Sequence, residues 1–168
     1  MATTTTALLC LCAVTLVASI GVDITEHLNK RAGSSRVAFS AGLTTNLELH
    51  QPVNITFDKV FTNIGDAYDN NTGEFTCPAA GTYVFQFHGL TESDGSIWME
   101  LFKNNAYVIS AYSHSANDYG AASNAIVLQL AVGDVVHLQG HGDVYLYGAS
   151  DEVYATFNGF LLYPAKSS

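Results

Sequence analysis

The chain has 168 residues with fifteen acidic and six basic side chains, a formal net charge of −9, and this length favours one domain. The basic residues are scattered apart from Lys30-Arg31 and nearby Arg36, so the chain lacks the basic patch that nucleic acid or an anionic membrane surface requires. The acidity is compatible with cation binding, but solubility alone accounts for it.

Residues Ala7 to Ile20 are apolar apart from Thr15 and Ser19, and the first ionisable side chain is Asp23. Such a run at the N-terminus, followed by small residues, is read as a secretory signal peptide over 1–19, with cleavage as late as 21. It is short against the roughly 20 residues that span a bilayer. No membrane insertion is therefore expected, and the mature chain is expected to be secreted and extracellular. Cys10 and Cys12 fall within the signal, leaving Cys77 alone. The mature fold must then hold without an internal disulfide. Cys77 is either a small buried apolar residue or a thiol for an intermolecular bridge. Residues 20–35 are polar and mixed and are read as a flexible leader. They contain no Gly-x-y repeat of a collagen stalk and no heptads. The globular domain is placed at 36–168.

From Arg36 onward the pattern is β throughout. Val37 to Ala41 is a first short strand, followed by short segments at Pro52–Phe57 and Lys59–Thr62. Asp66 to Phe75 reads as a hairpin turning at Asn70 to Gly73. Gly81 to Leu90 is a longer strand and Thr91 to Gly95 a polar turn. Ile97–Phe102 and Ala106–Tyr112 form a hairpin around Lys103-Asn104-Asn105. His114 to Ser123 is a polar loop. Ile126, Leu128, Leu130 and Val132 alternate with Val127, Gln129 and Ala131, and Gly133-Asp134 turns the chain into Val135–Gln139. Asp143–Tyr147 and Tyr154–Tyr163 complete the series. Many short strands, regular turn signals and no helical period predict a β-sandwich or barrel.

The stretch Phe75 to His88 organises the rest. Pro78 and Gly81 bracket a turn, after which Tyr83, Phe85 and Phe87 share one strand face and Val84, Gln86 and His88 the other. Three aromatics on one face supply a large part of a core. The final strand is different. Phe157, Leu161 and Tyr163 share one face, while Phe160 and Leu162 occupy the other. Both faces need covering, and with no helix available the second cover is expected to be another subunit.

Phe57, Asn63, Tyr68, Phe75, Gly81, Tyr83, Phe85 and Phe87 spell F-x5-N-x4-Y-x6-F-x5-G-x-Y-x-F-x-F. This spacing resembles the signature of the complement C1q globular-head family. The opening Arg36 to Ala41, the turn Thr72 to Pro78, Lys103-Asn104, Gly133-Asp134 with Val136 and Leu138, and the closing Phe157 to Pro164 resemble its other landmarks. The resemblance implies an all-β, ten-stranded jelly-roll sandwich of C1q/tumour-necrosis-factor type, assembled as a homotrimer with inner sheets near the threefold axis. It implies a recognition protein, not an enzyme, similar to stand-alone members with lectin-like immune roles. Some relatives bind calcium through an Asp-Gln pair before the strand that here starts near Ala125. This chain has Asp118 in Asn117-Asp118-Tyr119-Gly120 but lacks the Gln, so no metal residues and no cofactor are assigned.

Catalytic motifs are absent: there is no G-x-S-x-G elbow, H-E-x-x-H or P-loop. Gly140-His141-Gly142 starts like a dinucleotide fingerprint, but Tyr145 stands where its last Gly belongs and no helix follows. His137, Gln139 and His141 share a strand face near Asp143, yet residues four apart on a strand lie about 13 Å apart. The six histidines, His27, His50, His88, His114, His137 and His141, are read as solvent-exposed rather than metal-bound. Asn54-Ile55-Thr56 and Asn70-Asn71-Thr72 are glycosylation sequons, with Asn70 the better placed in its turn.

His114, Asn117, Asp118, Tyr119, Tyr145 and Tyr147 are the ligand-binding candidates, since a Tyr ring stacks on a sugar face while its hydroxyl bonds ring hydroxyls. The leading expectation is a secreted trimer binding microbial glycans or similar patterned ligands in innate immunity. The alternatives are an extracellular ligand or assembly factor that clusters a receptor or matrix protein, and an acidic cation-binding protein.

Overall fold

The two longest strands, 81–91 and 120–130, pair antiparallel along their whole length at one side of a sheet. The computed structural model describes residues 36–166, so the expected signal peptide and leader, with His27, lie outside the described residues. The strands are β1 (Ala38–Gly42), β2 (Leu47–Leu49), β3 (Lys59–Ile64), β4 (Tyr68–Asp69), β5 (Glu74–Thr76), β6 (Gly81–Thr91), β7 (Ser96–Lys103), β8 (Ala106–His114), β9 (Gly120–Leu130), β10 (Val135–Gly140), β11 (Val144–Leu146) and β12 (Thr156–Pro164). One five-stranded sheet runs β3-β1-β12-β6-β9 and the other β4-β5-β10-β7-β8. These ten strands are the jelly-roll sandwich, and β11 with β2 adds a small ribbon at one end.

β6 carries the core as its alternation requires. Tyr83, Phe85 and Phe87 are buried, and the strand's other face is half-buried or exposed. Phe85 meets Phe75 of the opposite sheet at 5.4 Å and Phe157 of β12 at 6.1 Å. Phe39 of β1 stacks flat on Tyr68 at 4.7 Å. Each such ring contributes roughly 1.5–3 kcal/mol through burial. Tyr83 resolves its hydroxyl by donating to the Ala79 carbonyl at 2.6 Å. Cys77 is buried, and its thiol donates to the same carbonyl at 3.2 Å.

Asn104 and Asn105 form the two-residue turn of the β7–β8 hairpin with φ of 49° and 62°. Asn tolerates this left-handed region better than other non-glycine residues, and two such residues give the turn twist that antiparallel strands need.

Several expectations are corrected. Pro52–Phe57 is not a strand; it runs irregularly beside β10, with a single bridge between Asn54 and Gln139. The polar loop expected from His114 to Ser123 is shorter. His114 ends β8 opposite Ser96, and Gly120 to Ser123 pair with Thr91 to His88 of β6. Pairing along β6 outweighs the loop-like Ser, Asn and Gly composition there. Gly120 is small because an added Cβ would lie 2.9 Å from Ser113 Oγ. His137 is not exposed: the residue is 4% accessible and its ring stacks on Phe102 at 5.5 Å. Its strand, β10, lies between β5 and β7, so neighbours cover it from both sides.

β12 is two-faced, with one change. A register shift between Leu161 and Tyr163 takes Tyr163 off the Phe157 face, and it is 64% exposed. On the other face Phe160 and Leu162 are exposed. Register places Phe160 between Ala38 and Val84, with Ile64 beyond Ala38 and Val127 beyond Val84. An apolar row thus crosses all five strands of this sheet. Ile64 and Val127 are 49% and 57% exposed, so nothing within the described residues covers it.

Candidate functional site

At the end of the sandwich where β6 stops, the chain turns through Glu92 to Gly95 into β7. The turn closes by Gly95 N–H donating to the Glu92 carbonyl at 3.2 Å, with Asp94 at a φ of 63°. Beside it lies the β11–β2 ribbon, tied on by Tyr147 N–H donating to the Leu90 carbonyl at 2.7 Å. Ribbon alternation buries Val144 and Leu146 and turns Tyr145 and Tyr147 to the other side. Between turn and ribbon is a cleft of about 300 Å³ lined by Tyr145, Tyr147, Glu48, Glu92 and Asp94 among others. No lysine or arginine lines it.

The tyrosines continue beyond the cleft. Tyr119 meets Tyr147 edge to face at 6.1 Å, and Tyr154 lies 5.6 Å from Tyr147 on a tilted plane. Tyr154 donates its hydroxyl to the Glu152 carboxylate. Burial pushes the Tyr147 hydroxyl above its ordinary pKa, helped by Tyr119 and the Glu92, Glu152 and Asp151 carboxylates. The hydrogen bond to Glu152 does the same for Tyr154. Both therefore remain protonated donors at neutral pH. Tyr145 packs edge-on against His50 at 6.0 Å, and His50 Nδ1 lies 3.1 Å from Asp143 Oδ1.

The structure thus brings three of the six candidates together: Tyr145 and Tyr147 in the cleft and Tyr119 against Tyr147. Asp118 precedes Tyr119, but its Oδ1 accepts the Tyr119 N–H at 2.8 Å and braces the loop. Asn117 is exposed in that loop. His114 lies at the end of β8, on the outward face it shares with Tyr112. Sequence reasoning missed Glu48, Glu92, Asp94 and Tyr154. The only signal for Glu92 and Asp94 was their place in a polar turn directly after the core strand.

The arrangement offers phenol donors, aromatic faces and carboxylate acceptors, with nothing to attract an anion. It suits hydroxyl-rich or cationic groups. Among the described residues no group of three or more His, Cys, Asp or Glu is gathered to hold a metal ion. Asp118, the residue nearest the calcium pattern, has its carboxylate engaged locally.

The fold has known counterparts. The globular domain of zebrafish complement 1qA superposes with a TM-score of 0.64 at 27% identity, covering 77% of this chain and 99% of that one. Eiger TNF from S. frugiperda gives a TM-score of 0.64 at 13% identity, covering 79% and 96%, a likeness of fold alone. Caprin-2 of Danio rerio is 47% identical over 133 residues, which are 76% of this chain and 14% of Caprin-2. A C1q domain is matched over residues 38–162, and the chain belongs to the C1q domain family.

Proposed function

We propose that this chain is a secreted, non-catalytic recognition protein whose homotrimer presents three copies of the tyrosine-lined cleft to microbial glycans or similarly patterned ligands. Domains of this type are generally extracellular and non-enzymatic, and they typically form trimers that bind receptors or ligands. Among the described residues no helix is long and apolar enough to cross a membrane. The observation that carries the reading is the cleft between the Glu92–Gly95 turn and the ribbon, where Tyr145 and Tyr147 stand among carboxylates. Aromatic faces take the C–H side of a sugar, and the phenols and carboxylates take its hydroxyls. Single contacts of this kind are weak, and three linked sites raise avidity by about 10²–10⁴ without new contacts. The apolar row through Phe160 supports the assembly, because an exposed apolar stripe of this kind marks an interface.

The test is a glycan array and whole-bacterium binding with the mature protein. Binding to neutral or amine-bearing glycans is expected, reduced at least about tenfold in avid format by Tyr147→Ala. No binding above a glycosylated control protein overturns the reading. Binding to cell surfaces that persists after glycans are stripped moves the role to a receptor or matrix ligand.

A further inference from the structure

The outward face of the second sheet carries a feature that the cleft does not use. β7 alternates strictly: Ile97, Met99 and Leu101 are fully buried, and Trp98 and Glu100 point outward. Trp98 stands opposite Tyr112 of β8, with ring centres 5.5 Å apart and planes at 75°. On its other flank His141 stacks on the indole at 4.1 Å and 20°. His141 is held there twice: its N–H donates to the Trp98 carbonyl at 2.9 Å, and its Nδ1 lies 3.1 Å from Glu100 Oε2. Three rings therefore form a fixed strip across β8, β7 and the end of β10. Trp98 is 38% and Tyr112 61% exposed. In register beside the strip runs a polar row, Gln139, Glu100 and Ser110.

We propose that this strip is a second glycan subsite, taking an uncharged hexose-type residue. The proposal rests on the glycan-binding reading and adds a site outside the cleft. The two exposed faces of the sandwich differ in kind. On the first sheet the exposed row is apolar across all five strands, four aliphatic side chains around the single ring of Phe160, a surface suited to another protein subunit. On the second sheet the exposed row is aromatic and is bordered by carboxylate, amide and hydroxyl groups. A pyranose has the matching anatomy, an apolar C–H face and a rim of hydroxyls. Charge decides among sugars. Glu100 borders the strip and the chain carries a net charge of −9, so sialylated or sulfated glycans are repelled.

The experiment follows from composition. Trp98 is the chain's single tryptophan, so its fluorescence reports this strip and nothing else. The full-length secreted protein is titrated with neutral oligosaccharides ending in mannose, galactose or N-acetylglucosamine, and with a sialylated counterpart. At least one neutral sugar should cause a saturable emission change and protect Trp98 from acrylamide quenching, while the sialylated sugar should do so at least about tenfold more weakly. Tyr147→Ala should leave the Trp98 response in place. Tyr112→Ala, at an exposed site that preserves the fold and the reporter, should weaken it several-fold, and Glu100→Gln should lessen the discrimination against sialylated sugar. Sugar binding with unaltered Trp98 emission, or with Tyr112→Ala equal to wild type, overturns the subsite and leaves the cleft reading standing. Protection of Trp98 by a protein partner but by no sugar overturns it as well. Absence of all sugar binding removes both readings.

Discussion

Asp134 and Asn104 grip each other across two turns. Asn104 Nδ2 donates to Asp134 Oδ1 at 2.8 Å, and Asn104 Oδ1 accepts the N–H of Val135, the next residue after Asp134, at 2.8 Å. Lys103 Nζ adds an ion pair to Asp134 Oδ2 at 2.9 Å. The Lys103-Asn104 and Gly133-Asp134 motifs, separate in sequence, are thus one structural unit.

That unit has an acid signature. The Asn104 hydrogen bond, followed by Lys103 and the Ala131 N–H, lowers the Asp134 carboxyl from its ordinary 3.8 to about 2. A depressed carboxyl contributes stability that is complete above the unfolded value and is lost as pH falls toward the folded one. Urea midpoints measured between pH 2 and 7 should fall for the wild type from pH 3.8 downward. Asp134→Asn should be less stable than wild type at pH 7 and should lack this component of the fall.

His137 predicts a second, milder dependence at higher pH. Its ring is buried against Phe102, and its Nδ1 has no hydrogen-bond partner. Burial lowers its pKa below the ordinary 6.5, opposed by Glu74 across the strand pair on β5. The unfolded chain binds the proton more readily, so stability is complete above 6.5 and declines as pH falls toward the lowered value. Thermal melts at pH 7.5 and pH 5 should show a larger drop for wild type than for His137→Phe.

Phe85 tests the core. It touches Phe75, Tyr83 and Phe157 and is fully buried. Phe85→Ala should cost about 3–5 kcal/mol by urea denaturation, the cost of a large ring removed from a packed interior.

Phe160 tests assembly apart from folding. Phe160→Glu places a charge in the middle of the apolar row, where a facing subunit would have to desolvate it. Light scattering should show the proposed trimer for the wild type and single subunits for the variant, with the far-ultraviolet circular dichroism of the β fold retained. A trimer that survives the substitution would exclude this face as the interface.

The two sequons should differ in use. Asn70 is exposed in the β4–β5 turn. Asn54 is half-buried, and its Nδ2 donates to the Thr72 carbonyl at 3.3 Å and to Glu74 Oε1 at 3.2 Å. Intact mass of secreted protein should show a glycan that Asn70→Gln removes and Asn54→Gln leaves in place.

Much of the fold was legible because period-two alternation is a local property. Tyr83, Phe85 and Phe87 announced both the strand and its buried face, and Asn70 to Gly73 announced its turn. What was not legible depended on partners remote in sequence. Gly120 to Ser123 read as loop by composition, and only β6 makes them strand. β2 is three residues long and exists through its pairing with β11. His137 looked exposed because its covers, Phe102 and Glu74, stand on strands far away in the chain. The candidate site divides in the same way. Tyr145 and Tyr147 were visible as aromatics beside a turn, whereas Glu48 faces Tyr145 only once β2 pairs with β11, and Glu92 joins them only after the ribbon docks on β6.

The apolar stripe through Phe160 belongs to strands, and the tyrosine-lined cleft belongs to turns and a short ribbon. Under the proposed function, valency and taste are therefore written in different parts of the chain. The segments 92–95 and 115–119 lie outside the five stripe positions, so exchanging or lengthening them would re-aim the proposed recognition surface while leaving the proposed assembly face as it is.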